Sequence, residues 1–136
     1  TVDAVVLNMR ENTLNVLLIQ RGNQPFEGMW AFPGGFVEME EELEEAVSRE
    51  LQEETGLTGI ELFQLGAFGN IGRDPRGRNI SIVYYGLTGG EAPVPQAGDD
   101  AVKARWFPVD QLPVLAFDHA EIIQFAIARV LTSISN

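Results

Sequence analysis

An α/β layered fold is predicted by three features of this 136-residue chain. Short β-branched and aromatic runs alternate with turn-rich segments. Two long amphipathic stretches read as helices. No internal repeat or linker-like segment divides the chain, and its length suits one hydrophobic core. The expected organisation is one domain over residues 1–136, with strands flanked by two helices.

The elements follow in order. VDAVVLNM (2–9) and LNVLLIQR (14–21) read as two strands joined through the polar turn ENT, a hairpin. GNQPFEGMWAFPGG (22–35) is turn-rich and aromatic, with a short strand around Trp30 to Phe32. Glu40 to Thr55 is the strongest helix, and Gly56 stands where a C-terminal cap belongs. IELFQLGAF (60–68) and NISIVYYGL (79–87) are strands, connected by GNIGRDPRGR (69–78). GGEAPVPQAGDD (89–100) is a loop by composition, and AVKARWFPV (101–109) a strand that ends at Pro108. DHAEIIQFAIARVL (118–131) is the final helix, with Asp118 and Glu121 spaced as a capping box.

Composition removes several function classes. No apolar run approaches the roughly 18 residues that a membrane span needs. With no cysteine, disulfides and thiolate metal sites are excluded, which fits a cytoplasmic protein. No signal peptide is visible in the chain, which starts on Thr1 rather than Met. A net charge of −11 argues against a nucleic acid polymer as partner, because phosphates need Lys and Arg. Nine of the 20 acidic residues lie between Glu38 and Glu54. Such a cluster is either a solvated face or a site for a hard cation such as Mg²⁺.

Helical geometry separates these meanings. At about 100° per residue, with Leu43 at 0°, Ala46, Val47 and Leu51 form one buried stripe. On the same count Glu50 falls at about −20°, Glu54 at about +20° and Glu53 at about −80°. The stripe that is apolar in the first turns thus becomes acidic in the last. Inward carboxylates need partners, and Arg49 alone cannot neutralise three. A divalent cation with oxygen ligands can.

From Gly35 the chain reads GFVEMEEELEEAVSRELQEETGL. It resembles a complete Nudix box, G-x5-E-x7-R-E-U-x-E-E-x-G-U with U aliphatic, and fills all nine specified positions over 23 residues. RGNQPFEGMWAFPGG before it and ARWFPVDQL after it also resemble Nudix sequence. The resemblance implies an α+β fold, an α/β/α sandwich with a mixed β-sheet, in which the box is a loop-helix-loop. It implies hydrolysis of a nucleoside diphosphate linked to another moiety X. It further implies Mg²⁺ or Mn²⁺ held by Glu50, Glu53, Glu54 and the backbone carbonyl of Gly34, with Arg49 orienting the glutamates. The proton acceptor is then a box carboxylate such as Glu53 or a residue of a later loop. Asp99 and Asp100 in AGDDA suit that role or an outer metal position, and equally suit a turn.

The box does not name X. GRDPRGRNISIVYY (72–85) and LAFDHAEII (115–123) resemble segments of ADP-ribose pyrophosphatases and ADP-ribose-sensing relatives. One departure is Ile71, where many of those pyrophosphatases carry a proline. Arg21, Arg73 and Arg76 are candidates for holding phosphate or ribose oxygens. Exposure, or for the loop pair a salt bridge to Asp74, is the alternative. Phe26, Trp30 and Tyr84 are candidates for stacking on adenine, against simple core packing. His119, the single histidine, reads as structural or as a dimer contact, which keeps a homodimer open. The expected substrate is a small nucleoside diphosphate, ADP-ribose first. The alternatives are nucleoside triphosphates, or an ADP-ribose-sensing domain without catalysis.

Overall fold

The computed structural model describes residues 1–98 and 101–135. Val2–Arg10 (β1) and Thr13–Arg21 (β2) form the expected hairpin. Its loop is the two residues Glu11 and Asn12, both at positive φ, rather than the three of ENT. Positive φ at both central positions matches the right-handed twist of the flanking strands.

Short strands Trp30–Ala31 (β3) and Gly34–Gly35 (β4) follow, then helix Leu43–Thr55 (α1). Phe63–Phe68 (β5), Ser81–Gly89 (β6), Ala101–Pro108 (β7) and helix His119–Ser135 (α2) complete the order. The sheet runs β3-β2-β1-β6-β5, with β4 pairing β1 and β7 pairing β2. β1 and β6 are parallel, and the other pairs antiparallel, so the sheet is mixed.

Side-chain alternation along β1 builds both layers. Val2, Ala4 and Val6 join Ala46, Val47 and Leu51 of α1 in one core. Val5 and Leu7 join Ile122, Ile123, Ala126 and Val130 of α2 in the other. A strand buried on both faces reads as a near-continuous apolar run, which is why VDAVVL carries one charge, Asp3.

Several details differ from the sequence expectation, among them the starts of α1 and β5, the bounds of β6 and α2, and the capping of α2. α1 starts at Leu43, not Glu40. The Glu41 carboxylate turns to Arg49 and to the Glu38 N–H, while the Glu42 N–H donates to Glu45. β5 starts at Phe63 rather than residue 60, because Ile60 and Leu62 pack against the α1 core. At α2 the Asp118 carboxylate does not cap the helix. Arg73 takes both its oxygens. Gly56, at φ 76°, ends α1 as expected and donates its N–H to the Gln52 carbonyl.

Candidate active site

A cleft of about 870 Å³ opens beside the C-terminal half of α1. It brings together Arg21 from β2, Gly34 from β4, Glu50, Glu53 and Glu54 from α1, and Arg73 and Arg76 from the 69–78 connection.

Gly34 and Gly35 let the backbone pass between two acidic groups. A Cβ on Gly34 would overlap Asp3, and one on Gly35 would overlap the Glu50 carboxylate. The Gly34 N–H donates to Glu54 Oε1 at 2.7 Å. Glu54 is buried at 9% exposure, and Glu53 lies at the exposed edge of the helix. Burial, with help from Glu50 and Asp3, pushes the Glu54 carboxyl up to about 8. Arg49 serves the other glutamates: it bonds Glu41 at 2.6 Å, Glu50 at 2.9 Å, Glu53 at 3.2 Å and the Phe36 carbonyl at 3.1 Å.

Among the described residues no three acidic or imidazole groups already converge on a single metal position. The donors are nonetheless all hard oxygens, and the Glu54 carboxyl is raised mainly by its burial and further by the nearby charges of Glu50 and Asp3. One guanidinium, Arg49, shared among Glu41, Glu50 and Glu53, leaves that set net negative, which suits a cation of the Mg²⁺ type. Asp99 and Asp100 lie outside the described residues. Gly98 just before them lies on α1, its N–H donating to the Glu54 carbonyl at 3.3 Å.

The arginines divide. Arg73 donates to both oxygens of Asp118, at 2.9 and 2.8 Å, and its side chain is only 4% exposed. It is a wall of the cleft rather than a presented charge. Arg76 pairs with Asp74, which also accepts from Asn79, and these bonds hold the Asp74 carboxyl well below its usual range. Its guanidinium lies over the rings of Phe36 and Phe117. Arg21 lies over Phe117 and donates to the Pro25 carbonyl at 2.7 Å.

Two expected stacking residues are corrected, and the third stands aside. Tyr84 is 2% exposed in the core under α1, so its ring is packing and not a platform for adenine. Trp30 packs edge-on against Phe107 at 4.8 Å and does not line the cleft. Phe26 does not line it either, but supports Phe117 edge-on at 4.9 Å.

Sequence reasoning missed Asp3, Phe36, Asp74 and Phe117 as cleft residues. Asp3 was legible as the lone charge in an apolar strand. Its carboxylate accepts a short hydrogen bond from Ser81 Oγ. His119 lines the cleft in the structural role expected of it. Its Nδ1 accepts the Phe32 N–H at 3.1 Å, and its ring stacks on Phe32. Burial lowers its basicity, so it stays neutral with the proton on Nε2.

The NUDIX domain profile matches residues 1–126. The chain belongs to the NUDIX family. An ADP-ribose pyrophosphatase of Methanocaldococcus jannaschii is 50% identical over 115 residues, 84% of this chain and 66% of that protein. An ADPR responsive transcriptional repressor, NtrR, of Acinetobacter baylyi is 37% identical over 134 residues, 96% of this chain and 53% of that protein. The chain thus spans about half to two thirds of the length of these NUDIX relatives. Among solved structures, the NUDIX domain of Shewanella oneidensis NrtR complexed with ADP ribose superposes at a TM-score of 0.88. That domain is 36% identical, with 95% of this chain and 86% of that one covered. The α+β NUDIX fold, with its mixed sheet and two helices, is therefore shown. No helix among the described residues is long and apolar enough to cross a membrane.

Proposed function

We propose that this NUDIX domain hydrolyses the pyrophosphate bond of a nucleoside diphosphate linked to X, with ADP-ribose as the first substrate. The observation that carries the reading is the buried, charge-deficient Glu54 in a cleft that also presents Arg21 and Arg76. An anionic diphosphate needs both features: cations at the acidic end and arginines further along. The ADP-ribose assignment rests on the 50% identity to an ADP-ribose pyrophosphatase and on the likeness to an ADP-ribose-binding NUDIX domain.

Glu50, Glu53, Glu54 and the Gly34 carbonyl would hold Mg²⁺ or Mn²⁺. Such an ion would supply charge neutralisation for the diphosphate and Lewis acidity toward phosphorus and the attacking water. Arg49 fixes the directions of Glu50 and Glu53 through its hydrogen bonds to both. Arg21 and Arg76 supply positive charge on the cleft wall. Water adds to one phosphorus and the bridging P–O bond breaks, which leaves AMP and ribose 5-phosphate. The water proton passes to a carboxylate, with Glu53, Asp99 and Asp100 as candidates.

A second reading is an ADP-ribose sensor, favoured by the similarity to NtrR and NrtR. A panel of ADP-ribose and nucleoside triphosphates with Mg²⁺, scored by product, separates the cases. Turnover of ADP-ribose to AMP and ribose 5-phosphate supports the proposal. Monophosphate plus pyrophosphate from a triphosphate moves the assignment to nucleotide-pool hydrolysis. Binding of ADP-ribose without any product moves it to sensing.

A further inference from the structure

Phe36 is an unusual residue for its place. It is 65% exposed and belongs to neither hydrophobic core. Its backbone is nevertheless firmly held, since it follows strand β4 and its carbonyl accepts from Arg49 Nη2 at 3.1 Å. A large ring on a fixed mount, open to solvent at the rim of the cleft, gains nothing from burial in this fold. Its neighbour across the cleft is Arg76, whose Cζ lies 5.8 Å from the Phe36 centroid and 5.7 Å from that of Phe117. Asp74 occupies the edge of that guanidinium through Nε and Nη2. Arg76 therefore offers the cleft its flat face.

We propose that Phe36 is the shelf on which a purine base of the ligand stacks, closed from the other side by the Arg76 guanidinium. The inference rests on the nucleoside diphosphate reading and adds the residue that recognises the base. Phosphate and sugar have no planar face to lay on a phenyl ring, whereas a base has one and also attracts a guanidinium plane. Stacked layers lie about 3.5 Å apart, so a base between Phe36 and Arg76 needs about 7 Å. The present 5.8 Å asks the Arg76 head to lift by roughly 1 Å, which a side chain 45% exposed can do. The shelf stands one residue from Gly35, which abuts the Glu50 carboxylate, so base and acidic helix meet at the same rim.

The test is calorimetric binding of AMP and of ribose 5-phosphate, each with Mg²⁺, to the wild-type chain, Phe36→Ala and Phe36→Trp. Wild type should bind AMP more tightly than ribose 5-phosphate. Phe36→Ala should weaken AMP by about 5- to 150-fold, leave ribose 5-phosphate unchanged, and leave the melting temperature near wild type. Phe36→Trp should restore AMP binding. Equal losses for both ligands, an unchanged AMP affinity in Phe36→Ala, or no preference for AMP in wild type would each overturn the shelf. Turnover of ADP-ribose by wild type is scored separately. Hydrolysis with a dispensable Phe36 removes only the shelf, and a Phe36-dependent AMP site without hydrolysis removes only the enzyme reading.

Discussion

Arg73 and Asp118 meet through two parallel hydrogen bonds, Nε to Oδ2 at 2.9 Å and Nη2 to Oδ1 at 2.8 Å, across 45 positions of sequence. The pair ties the 69–78 connection to the start of α2, and the next residue, His119, holds the Phe32 N–H ahead of Gly34. Two walls of the cleft thus hang on adjacent residues.

Arg73→Ala should therefore act on stability. It leaves the Asp118 carboxylate, 12% exposed, without its cation. Breaking a buried pair in this way costs about 3–5 kcal/mol. Chemical denaturation measures it as a lower midpoint at unchanged slope. A midpoint equal to wild type would mean that the pair contributes nothing in solution.

Arg76→Ala should act on substrate instead. It removes the guanidinium that lies over Phe36 and Phe117 at the cleft. Loss of a charge-assisted contact worth about 1.5–3 kcal/mol raises KM, or lowers kcat/KM, roughly 10- to 150-fold for ADP-ribose. Metal affinity should stay unchanged, because the glutamates belong to α1. Steady-state kinetics with Mg²⁺ titrated alongside decides between a substrate effect and a metal effect.

Glu54 sets a pH dependence in the metal-free protein. Its carboxyl sits at about 8 when folded, against an ordinary value of 4.5. Between those values the folded state binds the proton more tightly than the unfolded chain does. Stability is therefore highest below about pH 4.5 as far as this group is concerned, and it falls as pH rises to about 8. The slope is at most roughly 1.4 kcal/mol per pH unit. Asp74, whose carboxyl is held low, acts in the opposite sense and only in acid, below this window. Thermal melts in a chelator from pH 5 to pH 9 should show the decline, and Glu54→Gln should flatten it. Mg²⁺ should also oppose it, with a stabilisation that grows with pH, since the metal competes with the proton. Na⁺ at matched ionic strength should do much less; equal effects would indicate simple screening of an acidic surface.

Much of the fold was legible because both periodicities are strong. The apolar runs of β1 and β2 and the inward turn of Glu50 and Glu54 follow from alternation and from 100° steps. Less legible was what depends on contacts distant in sequence. β4 is two glycines with no side-chain pattern, made a strand by pairing with Val2 and Asp3. Asp118 has the spacing of a helix cap, yet Arg73, 45 positions away, takes its carboxylate. Tyr84, expected as a stacking candidate, is buried, and Phe36, for which the sequence suggested no role, is exposed at the cleft, for the same reason. An aromatic in a strand or beside a glycine loop looks alike in sequence, and only the sheet decides that Tyr84 faces α1 while Phe36 faces solvent.

The most direct measurement is product analysis of ADP-ribose incubated with Mg²⁺ and either the wild-type chain or Glu54→Gln. Wild type should release AMP and ribose 5-phosphate in equal amounts, and the reaction should stop on chelation. Glu54→Gln should fold, melt no lower than wild type without metal, and lose activity by orders of magnitude. ADP-ribose that is bound but recovered intact from wild type, or near-normal turnover by Glu54→Gln, would contradict the account.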